Sequence, residues 1–211
     1  SRKPIINAFK AIGKMNNQAV KNIVLKSGIH LIALSLLVFQ YYLAITDQLG
    51  GDPVEAIIHF TGIGAFNLLV LTLMVSPSAK YFKQAWLMKS RRLLGLYCFT
   101  YAFFHVLSFW AFEIQFQLGL FVEELFKRPY ITFGLVAFLI LCALAVTSYS
   151  KIQRYLGKRW QTLHNLVYLA VCLVAIHFYW SVKLEIIEPS IYIAITLLLL
   201  YLRQKKFRRW F

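Results

Sequence analysis

The chain has 211 residues, 60% of them hydrophobic, 17% aromatic and 15% charged, with a formal net charge of +15 and a mean hydropathy of +0.64. Soluble domains are about 45–50% apolar with about 25% charged residues, so a water-soluble globular enzyme is excluded and lipid is the expected solvent. The cations lie in short clusters beside apolar runs, as cytoplasmic loops and anionic headgroups favour, which excludes a nucleic-acid surface as the reason for the charge.

Residues 1–22 read as a basic N-terminal segment without the short apolar core and small-residue cleavage site of a signal peptide. A helix needs about 20 apolar residues to cross the hydrocarbon core. The stretches that approach this are 23–45, 53–75, 93–113, 130–148, 160–182 and 189–202. The expected fold class is therefore all-α, an integral membrane bundle of six transmembrane helices over 23–202, followed by a basic tail at 203–211. Asp52 as N-cap, Pro53 at the first helical position and Glu55 three residues after the cap predict the start of the second helix. Its end is expected near Ser76-Pro77-Ser78, because the residue before a proline disfavours helix and Pro77 has no amide hydrogen. Pro129 and Pro189 sit at the starts of the fourth and sixth helices. Cys98, Cys142 and Cys172 lie inside apolar segments with no close pair, and read as small buried hydrophobes rather than disulfides or thiolate metal ligands.

The connections sort by sign. All eight acids, Asp47, Asp52, Glu55, Glu113, Glu123, Glu124, Glu185 and Glu188, fall in alternate gaps that hold only Lys127, Arg128 and Lys183 as cations. The remaining Lys and Arg lie in the other gaps and at the two ends. With cations retained inside, both termini are expected to be cytoplasmic. The 114–129 connection mixes Phe116, Leu118, Phe121 and Phe126 with polar residues, as an amphipathic piece lying on the outer membrane surface would. No internal repeat and no second soluble domain is visible in the sequence.

Five histidines lie in these apolar stretches, an environment that tolerates them poorly unless something binds them. From a rise of 1.5 Å per residue, His59 and His177 are each roughly 9 Å and His105 about 12 Å from the outer ends of their helices. His164 and His30 belong to an inner level, His164 roughly 20 Å along the axis from His177. Neutral imidazole is a common metal ligand, and haem iron takes axial ligands from opposite sides, which two neighbouring helices can supply at one depth. Arg91, Arg92, Lys158 and Arg159 suit the propionates of an inner haem, although such basic pairs read first as topology anchors. Gly62, Gly64, Gly95 and Gly134 are small enough to let a macrocycle approach the backbone. The bland reading of any one histidine is an interhelical hydrogen bond worth about 1 kcal/mol. On a straight helix, moreover, His164 and His177 point about 140° apart. No carboxylate lies within a span, which argues against a proton pump. No G-x-G-x-x-G or G-x-x-x-x-G-K string is present, so an electron donor has to be another molecule.

Several strings are more specific: His59-Phe60-Thr61-Gly62, Arg91-Arg92-Leu93-Leu94-Gly95-Leu96, Arg128-Pro129-Tyr130-Ile131-Thr132, the run Leu156 to Tyr168 around His164, and Trp180-Ser181-Val182-Lys183. They resemble the MsrQ family, formerly YedZ, whose wider relatives are ferric-reductase-like membrane domains. The resemblance covers residues 23–210. It implies a b-type cytochrome of the bacterial inner membrane, passing electrons to a periplasmic molybdopterin-containing partner of the MsrP type that repairs oxidised methionine in envelope proteins. Electrons are implied to come from the quinone pool or a cytoplasmic flavin reductase, and FMN is associated with the family beside one or two haems. The family's haem ligands fall on His105, His164 and His177. Ile63 stands where many members carry an arginine, and Arg91 and Gly119 occupy the positions fourteen residues either side of His105, where double-haem relatives place a second histidine. The competing classes are a stand-alone transmembrane metalloreductase acting on Fe(III) or Cu(II), and a non-redox transporter or metal channel that uses the histidines.

Overall fold

A computed structural model describes residues 3–182 and 186–204, with side chains from Asn17 onward. Every regular element among the described residues is helical. The elements are α1 (Lys3–Ile45), α2 (Pro53–Tyr81), a 3-10 turn (Ala85–Ser90) leading into α3 (Arg91–Ser108), a π turn (Phe109–Glu113), α4 (Leu118–Lys127), α5 (Pro129–Val146), α6 (Ser150–Leu156), α7 (Lys158–His164), α8 (Val167–Ser181) and α9 (Ile187–Leu202). Lys183, Glu185 and the cations beyond Gln204, counted above in assigning the sides of the membrane, lie outside the described residues.

Five helical stretches are long and apolar enough to cross a membrane: Asn17–Ile45, Pro53–Tyr81, Ala85–Glu113, Pro129–Val146 and Lys158–Ser181. The expected sixth, α9, is apolar but has 16 residues, a rise of about 24 Å against a hydrocarbon core of about 30 Å. The described structure therefore supplies five helices of spanning length and one shorter apolar helix, where six transmembrane helices are expected from the sequence.

The start of α2 follows the local chemistry. Asp52 adopts an extended conformation and its Oδ1 accepts from the amides of Val54 at 3.0 Å and Glu55 at 2.9 Å, ahead of Pro53. The end does not, because α2 runs through Pro77 to Tyr81. A proline inside a helix orphans the carbonyl four residues earlier, here Leu73. That carbonyl accepts instead from Nη2 of Arg203, which follows α9. Nη1 of Arg203 donates to the Tyr168 hydroxyl of α8 at 2.8 Å. Arg203, grouped by sequence with the basic tail, is only 5% exposed. A donor from a distant segment thus replaces the one that Pro77 removes, and the helix continues.

The bundle is built from two closely packed pairs, α2 with α3 and α5 with α8. The main core lies between the pairs, where Phe66 and Leu73 of α2, Cys98 of α3, Leu141 of α5 and Ala170 and Val171 of α8 are buried together. α1 packs outside α2 and α3, tied by the Tyr101 hydroxyl donating to the Ala33 carbonyl at 2.7 Å and by a Tyr41–Ser108 hydroxyl pair at 2.6 Å. Large apolar side chains such as Leu31, Phe39, Leu139 and Leu197 face outward, the inverse of a water-soluble bundle and suited to lipid. The amphipathic 114–129 connection contains α4, on which Leu118, Val122 and Phe126 form an exposed row at four-residue spacing. The three cysteines are free thiols, Cys98 fully buried.

Candidate functional site

α3 and α8 bring the rings of His105 and His177 together. Their ring centroids are 6.1 Å apart and their planes stand at 83°. Nδ1 of His105 lies 2.8 Å from the Ile58 carbonyl of α2, and Nδ1 of His177 lies 2.8 Å from the Tyr130 carbonyl of α5. A carbonyl only accepts, so the proton of each neutral ring sits on Nδ1 and the lone pair on Nε2. No hydrogen bond among the described residues engages either Nε2. Two metal–nitrogen bonds of about 2 Å and about 1.1 Å from each nitrogen to its ring centre add up to about 6.2 Å for two imidazoles facing one metal ion. The observed centroid separation is of that size, and both rings make the outer-shell hydrogen bond that ligating histidines ordinarily make.

Two of the glycines that the sequence offers to a macrocycle are taken up by these rings. A Cβ at Gly62 would lie 3.0 Å from Cε1 and Nδ1 of His105, and one at Gly134 would lie 2.8 Å from Nδ1 of His177. Gly64 is covered by the ring of Tyr101, and Gly95 has only the Thr72 methyl at 3.8 Å. The close approach thus serves the imidazoles and a tyrosine, because these side chains fill the grooves that the missing Cβ atoms leave.

The other predicted residues divide. His59, on the outer level, is exposed and sits beside Phe178 at 6.5 Å between ring centres, outside the facing pair. The inner level does not assemble as a pair. His30 is exposed and contacts the Tyr97 hydroxyl through Nδ1 at 2.7 Å. His164 instead stacks on Trp160 at 4.0 Å and places Nε2 3.1 Å from the Thr147 hydroxyl. That hydroxyl donates its single proton to the Ala143 carbonyl at 2.6 Å, so it accepts from His164 and commits Nε2. The single straight helix expected over 160–182 is divided at Asn165–Leu166 into α7 and α8, and His164 and His177 serve different neighbours. Arg91 is half-buried and within electrostatic reach of His164, Tyr168 and Arg203. Arg92, Lys158 and Arg159 are exposed. Among the described residues no group of three or more His, Cys, Asp or Glu side chains converges on one point.

Sequence reasoning missed the carbonyls of Ile58 and Tyr130, the Thr147 hydroxyl and the buried Arg203. Backbone acceptors leave no composition signal, and Arg203 looks like any other tail cation. One signal was available: Gly62-x-x-Ala65-Phe66 and Gly134-x-x-Ala137-Phe138 share a string and an offset of 72 residues, the same offset that separates His105 from His177.

Comparison with known proteins agrees with this architecture. Residues 29–175 match the family described as ferric reductase like transmembrane component, a segment that includes His105 and His164 and stops two residues before His177. The chain is 46% identical over 187 residues, 88% of its length and 94% of the relative's, to the protein-methionine-sulfoxide reductase heme-binding subunit MsrQ of Salmonella arizonae. The proteins of the same name from Salmonella paratyphi B and Salmonella newport are each 47% identical over the same shares. With its apolar helices and a transmembrane family covering most of its length, this is a multi-pass membrane protein, and it belongs to the MsrQ family of ferric-reductase-like transmembrane proteins.

Proposed function

We propose that this chain is the membrane electron carrier of a methionine-sulfoxide reductase system, a b-type cytochrome whose haem is held between His105 and His177. In this reading it lies in the bacterial inner membrane with six spans and both termini cytoplasmic. The shorter α9 crosses by local thinning of the bilayer, which costs fractions of a kcal/mol per ångström of mismatch. Quinol, or a reduced flavin such as FMN from a cytoplasmic flavin reductase, delivers electrons on the basic side. A periplasmic molybdopterin-containing reductase of the MsrP type receives them on the acidic side.

The observation that carries the reading is the His105–His177 pair, spaced at 6.1 Å with both Nδ1 atoms tied to carbonyls. Bound there, haem supplies a reversible one-electron store whose potential is tuned by its ligands and their hydrogen bonds. The protein's part is to present two Nε2 lone pairs, to fix both tautomers and to surround them with apolar side chains. Arg91, Arg92, Lys158 and Arg159 give the inner face the charge to attract anionic flavin or propionate groups. A second haem would have His164 as its one histidine ligand, within electrostatic reach of Arg91, because His30 turns to Tyr97 instead, and it would require His164 to give up its contact with Thr147. A facing histidine pair favours a redox carrier over a transporter, and the relatives' names favour a protein acceptor over a stand-alone metalloreductase.

The test is an absorption spectrum of detergent-purified protein, oxidised and dithionite-reduced, with haem quantified per chain. Wild type should show Soret and α bands of a six-coordinate b haem. His105→Ala and His177→Ala should each lose the low-spin species while remaining inserted, and undiminished bands in either variant would contradict the assignment. Reoxidation of the reduced protein by a periplasmic methionine-sulfoxide reductase, and not by Fe(III) or Cu(II) alone, tests the acceptor.

A further inference from the structure

The two halves of the facing pair repeat one construction. In the first, His105 of α3 donates to the Ile58 carbonyl of α2, and Gly62 lies one helical turn beyond Ile58. In the second, His177 of α8 donates to the Tyr130 carbonyl of α5, and Gly134 lies one turn beyond Tyr130. Donor and acceptor are 47 positions apart in both, and Ile58, Gly62 and His105 map onto Tyr130, Gly134 and His177 by the same shift of 72. The pairing of α2 with α3 thus recurs in the pairing of α5 with α8.

The glycine has a mechanical reason to be at that turn. Inside an α-helix the carbonyl of one residue points at the amide of the residue four later. An imidazole that reaches the second lone pair of that carbonyl must pass the position where the later residue's Cβ would stand. At Gly62 that Cβ would meet His105 at 3.0 Å, a tight contact, and at Gly134 it would meet His177 at 2.8 Å, closer than real Cβ contacts come. At Gly134 only bare backbone lets the Nδ1 hydrogen bond form at 2.8 Å, and at Gly62 a methyl group would push the ring back by a few tenths of an ångström.

We propose that Gly62 and Gly134 are a matched pair of positioning residues that seat the two imidazoles, fix both on the tautomer with the Nδ1 proton and so aim both Nε2 atoms at one metal centre. This rests on the haem reading above. A hydrogen bond from Nδ1 to a carbonyl raises the basicity of the ligating nitrogen, so the glycines act on the centre's spin state and potential through the histidines.

The experiment compares wild-type full-length protein in detergent with Gly62→Ala, Gly134→Ala and Gly119→Ala, the last at a glycine with nothing within 4 Å. Haem retention, the low-spin electron paramagnetic resonance signal and the midpoint potential are measured for each. Gly134→Ala should hold haem about 10- to 100-fold more weakly, the usual effect of losing a partner behind a metal ligand, with part of the signal converted to high spin. Gly62→Ala should keep both ligands with altered g-values and a shifted potential, and Gly119→Ala should match wild type. The proposal is overturned if the first two variants match wild type in all three measurements while His105→Ala and His177→Ala strip the low-spin haem. If those histidine variants keep a full low-spin signal, the haem reading itself fails. The glycine seats are then judged from nitrogen-15 spectra of histidine in the haem-free chain, where protons on Nδ1 at both rings support them and protons on Nε2 refute them. Should Gly134→Ala fail to insert, Gly62→Ala and the same nitrogen spectra decide.

Discussion

Arg203 and Pro77 should be energetically coupled although they lie on segments far apart in sequence. Pro77 removes the amide that would satisfy the Leu73 carbonyl, and Arg203 supplies the replacement while also donating to Tyr168. Removing the guanidinium with Arg203→Met leaves a buried carbonyl and a buried hydroxyl without that donor. An unsatisfied buried group costs about 1–3 kcal/mol, and interhelical hydrogen bonds in membranes average about 0.6 kcal/mol with a maximum near 1.7. Against this, no carboxylate among the described residues lies within salt-bridge distance of Arg203. Removing a buried charge that lacks an ionic partner therefore recovers some desolvation energy. The single variant is expected to lose about 1 kcal/mol net, but the coupling is the sharper quantity. In a Pro77→Ala background the new alanine returns an amide hydrogen to the Leu73 carbonyl, and Arg203→Met should then cost about 1 kcal/mol less than it does beside Pro77. Reversible unfolding in mixed detergent, followed by helix content across the four members of the cycle, measures both numbers. Additivity to within about 0.3 kcal/mol would refute the replacement-donor account.

Asp52→Ala should lower stability by about 1 kcal/mol through loss of the cap on α2, with faster amide exchange confined to Val54 and Glu55 and their turn. Tyr101→Phe removes the hydroxyl bond to Ala33 and should cost about 0.6–1 kcal/mol, read as faster exchange in the middle of α1 with the spectrum of the haem proposed at His105 and His177 unchanged. Thr147→Val frees Nε2 of His164 and should alter only the inner level. An altered low-spin signal from the outer pair would show that the two levels are not separate.

Much of the molecule was legible because its signals are local. Apolar runs, the Asp52-Pro53 start and the isolated cysteines each depend on neighbours in the chain or on the solvent, and they led to an all-helical membrane bundle. His105 and His177 were placed at one depth because the rise of a helix is constant. The rest depends on which side chains meet. Pro77 reads as a stop until Arg203 arrives from the far end of the chain, and Gly62 and Gly134 read as room for a ligand until two imidazoles fill them. His164 and His30 were expected at one level from the sequence, but depth constrains only one coordinate. The direction in which each ring points is set by helix rotation and by the break at Asn165–Leu166, and only packing determines those. Sequence alone therefore determined the apolar, all-helical character of the chain and where most of its helices lie, whereas the tertiary structure decided which histidines meet, because meeting requires the rotation of two helices about their own axes.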